Sequence, residues 1–350
     1  VPILLGVCVG LGVCVGGSMK SVNGQEDRVE LEKKFGKDSM LWFAEPTDNS
    51  LNRWDPPESV QDFGIVLDWN SQEVILFRPN ATNVSRIPGD HVVRVEPSWA
   101  DASAAAVMGS YRKQQFKTAI TQGAEVDKLS TLPVWQKRFN RALIIDSCSA
   151  MGNHRLAGRL FADTLAKDKT PQLLMTVIPL PWGNELANSD FAAMQSHAEE
   201  WILSDNDAVR LLGAAWLLGG PKRSVAIQTL ENIAKDAKAP LINAYARIQL
   251  WRVVPPTEIL SDRLPKWLAE RDRLQPPMQA GPTLLLGHRL AQAGQPSLAI
   301  TEWLRIAALH TDRYHFATKA IDNAAQALTT LDRSDEAEKV KGLQPRFLLE

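Results

Sequence analysis

Apolar positions along this chain follow two different periods. Between residues 36 and 98 they alternate in short runs. Phe63-Gly64-Ile65-Val66-Leu67-Asp68-Trp69 passes through the turn-forming Asn70-Ser71 into Glu73-Val74-Ile75-Leu76-Phe77, a hairpin pattern. Val84–Ile87, the breaker Pro88-Gly89 and His91–Val95 follow, and a strand near Met40–Ala44 precedes them. Five short strands in so few residues predict a small, bent barrel, because a flat sheet of that size leaves one face and both edges open. After Pro97 the period becomes helical. Runs of 12 to 20 residues are separated by Gly, Pro or Asp as far as the C-terminus, which predicts 11 to 14 helices. Asp101, Asp205, Ser261 and Ser334 are the expected helix starts.

The helices carry an internal repeat. Ile145, Gly152, Ala157 and Phe161 have the same spacing as Gly287, Gly294, Ala299 and Trp303, and as Ala325, Asp332, Ala337 and Lys341. Val107, Gln114, Ala119 and Gly123 fit the register weakly, and Ala214, Gly220, Ala226 and Leu230 fit with one residue moved across the turn. A small or apolar residue lets two helices approach, a Gly ends the first helix with positive φ, and an Ala sits at the crossing. An aromatic then fills the gap to the next pair. The distances between crossing alanines predict further pairs near residues 190 and 262, for about seven in all.

This pattern resembles the tetratricopeptide repeat over the later two-thirds of the chain, and Ala208–Trp251 also resembles HEAT repeats. The strand region resembles SH3-like small barrels of the Sm and PRC-barrel kind. The expected fold class is therefore mainly α, a tetratricopeptide-like solenoid behind a small SH3-like β-barrel. The expected divisions are an opening segment over 1–24, a linker over 25–35, the barrel over 36–98 and N-terminal repeats over 99–170. A proline-rich loop over 171–187 and C-terminal repeats over 188–345 complete them. Pro171 and Ile178-Pro179-Leu180-Pro181-Trp182-Gly183 predict an exposed loop and a kink.

Residues 3–17 are uncharged, contain Cys8 and Cys14, and are about as long as a signal-peptide core. An exported, periplasmic or envelope-associated protein of a bacterium is expected, either cleaved or anchored by this segment. Beyond it Cys148 is a single thiol, which cannot form an internal bridge. With 39 basic and 40 acidic residues the net charge is −1, so a dedicated nucleic-acid binder is not expected. Basic residues do outnumber acidic ones by 11 to 5 between Arg112 and Lys169, whereas the strand region is acidic. That imbalance raises the expectation that the strand region docks on this patch, or that an acidic partner does.

No catalytic, nucleotide or metal motif emerges. His310 and His315 lack a third ligand, and Cys148 with His154 is read as a packed thiol beside a helix start. No cofactor is expected, and the chain is read as non-catalytic; an uncharacterised enzyme is the least favoured reading, reopened by a compact helical bundle around a deep polar cavity with no regular superhelix. Of 11 tryptophans, Trp135, Trp201, Trp216, Trp251, Trp267 and Trp303 sit at helical spacing and read as core. Trp54 and Trp182 lie in proline-flanked loops and are candidates for partner contact. Arg141, Arg210, Arg247 and Arg289, on the first helices of successive pairs, are the candidate lining of a groove. The expected function is a scaffold or adaptor that binds a protein or peptide partner. The alternative is a cell-wall polysaccharide binder acting through its loop tryptophans.

Overall fold

The computed structural model describes residues 24–37, 39–44, 59–70, 72–78, 84–167, 172–183, 191–310 and 313–343. The protein is mostly helical with a small antiparallel sheet. The opening segment before Gly24 and Trp54 lie outside the described residues. Among the described residues no helix is long and apolar enough to cross a membrane.

Five strands, β1 (Ser39–Ala44), β2 (Ser59–Trp69), β3 (Glu73–Phe77), β4 (Val84–Pro88) and β5 (Val92–Glu96), form an open sheet in the order β4-β3-β2-β1-β5. Each neighbouring pair is antiparallel, and the predicted hairpin aligns Trp69 with Val74 and Val66 with Leu76. Irregular register between Val66 and Asp68, and between Trp42 and Phe43, marks the points where bulges bend the strands. Alternation along β2 and β3 divides their side chains between two faces. Val66, Val74 and Leu76 join the main core, whereas Ile65, Leu67 and Phe77 form a second cluster on the other side.

That second cluster is covered by α1 (Gly24–Phe35), through Leu31 and Phe35. The stretch expected as a linker is thus a helix that shields the outer face of the sheet. The acidic sheet also docks on the basic helices. Arg138 donates to Trp69 O at 2.8 Å and lies 3.6 Å from Asp68, while Arg112 pairs with Glu96 at 2.8 Å. Phe139 packs between Trp69 and Trp99 at the same junction, with centroids 6.3 and 5.6 Å away.

Fourteen further helices follow among the described residues. They are α2 (Ala102–Arg112), α3 (Phe116–Val126), α4 (Val134–Ala150), α5 (His154–Lys167), the single turn α6 (Gln172–Met175), α7 (Phe191–Trp201), α8 (Asp207–Leu217) and α9 (Arg223–Asp236). α10 (Pro240–Gln249), α11 (Leu264–Asp272), α12 (Ala280–Gln292), α13 (Pro296–Leu309), α14 (Tyr314–Thr330) and α15 (Ser334–Lys341) are the remaining helices among the described residues. Asp101 caps α2 by accepting from Ser103 N, and Asn206 rather than Asp205 caps α8. Ser261 caps nothing. It lies in a π-turn over Ile259–Arg263, after 3-10 turns, and α11 begins only at Leu264. Pro255 and Pro256 interrupt the helical ladder there, so the second helix pair expected near 262 is shortened.

The repeat signature has a common geometry. Gln114, Gly152, Gly294 and Asp332 all have positive φ, between 56° and 75°. At each of these turns the next residue's N–H returns to the carbonyl five positions earlier: Gln115 to Ser110, Asn153 to Cys148, Gln295 to Leu290 and Arg333 to Leu328, all at 2.9 to 3.0 Å. This is the Schellman closure, and it forms even where the turn residue has a side chain. Ala119, Ala157, Ala226, Ala299 and Ala337 are all fully buried, and Phe161 and Trp303 fill the gaps beside them. The six tryptophans expected in the core are all buried.

Candidate functional site

The described part of the proline-rich segment is not exposed, and residues 171 and 184–187 of the expected loop lie outside the described residues. After α6, residues Val177, Ile178, Leu180 and Trp182 are buried, and side chains from three later positions hold its carbonyls. Trp216 Nε1 donates to Pro179 O at 3.0 Å and Gln249 Nε2 donates to Pro181 O at 3.3 Å. Arg252 donates to both Pro181 O and Gly183 O. Proline explains how an irregular segment can be buried away from any sheet: positions 179 and 181 carry no N–H and present only carbonyls to be satisfied, and Leu180 N–H turns back to Ile178 O at 2.7 Å.

Trp182, expected as a loop aromatic, is 5% exposed. Its ring meets Tyr245 edge-on with centroids 5.2 Å apart, and it lies so close over α12 that a Cβ on Gly281 would fall 2.5 Å from Cε2. Tyr245 in turn donates to Met278 O at 3.1 Å. Burial holds its phenol well above the ordinary value, with Arg313 opposing.

Against this segment lies a cavity of about 480 Å³. Its other walls are the α4–α5 turn, Tyr245, the N-terminal half of α12 and the first turns of α14. One end of the helical array thereby meets the other. Asp146 of α4 lies in the cavity wall with Arg313 and His315, which stand at the start of α14. Arg313 Nη2 is 3.3 Å from Asp146 Oδ1, and His315 Nδ1 is 3.4 Å from Oδ2. Tyr111 of α2 donates its hydroxyl to the same carboxylate. Burial alone raises a carboxyl's pKa, but His315, Arg313 and the Tyr111 hydroxyl outweigh it and hold Asp146 well below the usual carboxylate range. His154, His288, Lys319 and Asp322 add further charged or ionisable groups to the lining.

The four arginines expected to line one groove do not converge. Arg141 is paired with Asp127 at 2.8 Å, Arg210 with Asp207 on its own helix, and Arg247 with Glu270. Arg247 borders a separate pocket beside Leu274, and Arg289 borders another beside Gly183. Cys148 is buried, and its thiol is pushed up to about 11 by burial, as a packing residue's is. Among the described residues no group of three His, Cys, Asp or Glu side chains is placed to hold a metal ion.

Comparison with protein-family models, with curated proteins and with solved structures returned no match. The site therefore has to be read from its own chemistry. It joins an apolar wall made by a buried irregular segment to a charged wall made by a closed ionic cluster. Sequence reasoning did not single out Asp146, Arg313 or Tyr111, and weighed His315 only as a metal ligand beside His310. The available signal was Asp146 itself, an acid directly after the apolar run Leu143-Ile144-Ile145 on a helix whose neighbouring residues are buried.

Proposed function

We propose that this is a non-catalytic adaptor of the bacterial envelope, in which a tetratricopeptide-like array beside an SH3-like small barrel binds an extended segment of a protein partner. The observation that carries this reading is the burial of Val177–Gly183 inside the array, held through its carbonyls by Trp216, Gln249 and Arg252. An inner surface that recognises main-chain carbonyls of an irregular, non-helical segment is suited to peptide of the same kind, and the cavity continues that surface beyond the protein's own segment.

Four turns of one geometry and five buried crossing alanines support the repeat assignment. The sheet order β4-β3-β2-β1-β5, with a 3-10 turn over Gly89–His91 between β4 and β5, supports the SH3-like one. The non-catalytic reading draws on the pairing of the buried acid: Asp146 has three partners and is held ionised, which suits closure of the array better than proton transfer. The envelope assignment rests on the leader-like composition of residues 3–17.

A photoreactive phenylalanine analogue at Thr318, in the cavity wall, should crosslink a discrete polypeptide in intact cells. The same group at exposed Glu231 on α9 should not. Equal yields at both positions would overturn the proposal. Label carried to glycan instead of polypeptide would transfer the site to the polysaccharide reading.

A further inference from the structure

A second pocket, of about 280 Å³, lies beside the far end of the buried segment, and its charged lining is entirely basic. Arg223, Arg252 and Arg289 converge on it together with His288, and among the described residues no aspartate or glutamate lines it. Arg289 comes from α12, Arg252 from the 3-10 turn after α10, and Arg223 opens α9 on the rim. The three are spread over the sequence, so only the fold gathers them.

Gathering three guanidinium groups costs electrostatic energy, and two features mark the cost. Arg289 is only 8% exposed, and its Nε has no hydrogen-bond partner among the described residues, although its other nitrogens donate to Gln292 and to Val254 O. Burial and the charge of Arg223 both lower its proton affinity. A buried donor without an acceptor, facing like charges, is a site short of an anion. Arg252 is fixed by the carbonyls of Pro181 and Gly183, so the wall is held in place before any ligand enters.

We infer that this pocket is a binding site for a phosphate group. Planar guanidinium forks match tetrahedral oxyanions with paired hydrogen bonds, and three of them suit a dianion better than a single carboxylate. The volume leaves room beyond the phosphate itself, so an ester enters as readily as the free ion. The exposed Arg223 guides entry, and Arg289 supplies the buried contact. None of its arginines lines the larger cavity, although His288 borders both and Arg252 also holds the buried segment.

The test is titration of the whole protein with inorganic phosphate, with a phosphate monoester and with succinate, followed by calorimetry and thermal unfolding at constant ionic strength. Saturable binding and stabilisation by phosphate or the monoester, with succinate weaker, is the expected result. The stronger of the first two then identifies the free or the esterified ligand. Arg289→Met should weaken binding about tenfold or more, the loss expected for one charge-assisted contact. Arg223→Gln, an exposed change that leaves the core intact, should weaken it several-fold and serves if the first variant does not fold. No saturable binding, equal binding of succinate, or undiminished binding by Arg223→Gln would overturn the inference.

Discussion

Arg313 and Asp146 are 167 residues apart in the chain and 3.3 Å apart in space. Their contact joins the second helix pair to the last, so the array closes upon itself around the proline-rich segment. A concave surface lined by arginines was the expectation. What forms is an interior with one irregular segment already in it and a cavity alongside.

Removing one partner of this pair should be costly. Arg313→Met leaves Asp146 charged and buried with only Tyr111 and His315, and a loss of about 3 kcal/mol is expected from broken buried pairs. Asp146→Asn in the same background should recover part of it, because the uncompensated charge is then gone. Urea unfolding of the two single variants and the double variant gives the coupling energy. Strict additivity would mean that the contact does not hold the ends together.

Acid should act through the same carboxylate. In the folded state Asp146 titrates below its ordinary value, while in the unfolded chain it titrates near 4. A lowered folded pKa gives stability that is present in full above the unfolded value and is lost as the pH falls below about 4. The wild-type protein should therefore lose stability more steeply than Asp146→Asn on going from pH 5 to pH 3, although the variant is the weaker of the two at pH 7. Parallel pH profiles would remove Asp146 from the account.

Local features were legible in the sequence because local chemistry decides them. The hairpin at Asn70, the cap at Asp101, the turns at Gly152 and Gly294 and the crossing alanines each depend on residues a few positions away. Gln114 and Asp332 show how strong that framework is, since neither is a glycine and both take the left-handed turn. The proline-rich segment misled because proline and glycine mark loops, and loops usually lie at the surface. Its burial is decided by donors at 216, 249 and 252, which no local pattern connects to 179–183. Likewise nothing near Asp146 announces Arg313.

Two glycines of one repeat should respond differently to alanine. Gly294 has φ +73° with nothing near a Cβ, so Gly294→Ala costs only the left-handed backbone, about 1 kcal/mol, and Gly294→Asn should cost less. A Cβ on Gly287 would lie 2.3 Å from Trp303 Nε1, and that ring is itself buried. Gly287→Ala should cost about 2 kcal/mol through overpacking, and Trp303→Phe should relieve part of it. Chemical denaturation of these variants separates the two roles. Relief of Gly294→Ala by Trp303→Phe would contradict the assignment.

Cys148 should be protected by the fold. Its thiol is fully buried and is pushed up to about 11, so at pH 8 almost no thiolate exists and none is accessible. Alkylation, read by mass spectrometry of the peptide that carries residue 148, should track global unfolding in urea. Rapid modification of the native protein would show that α4 opens locally.

Trp216 provides the most direct test of how the segment is held. Its Nε1 is the donor for Pro179 O, and both groups are buried. Trp216→Phe keeps most of the apolar contact but leaves that carbonyl without its donor, a loss of about 1–3 kcal/mol. The loss should fall mainly on the segment, because the neighbouring helices retain their own ladders. Hydrogen exchange should therefore quicken at Val177, Ile178, Leu180 and Trp182 while α13 stays protected, since prolines 179 and 181 contribute no amide signal. Uniform acceleration across the whole array would mean that the segment is an inseparable part of the core; acceleration confined to it would mean that the array holds it as a groove holds a ligand.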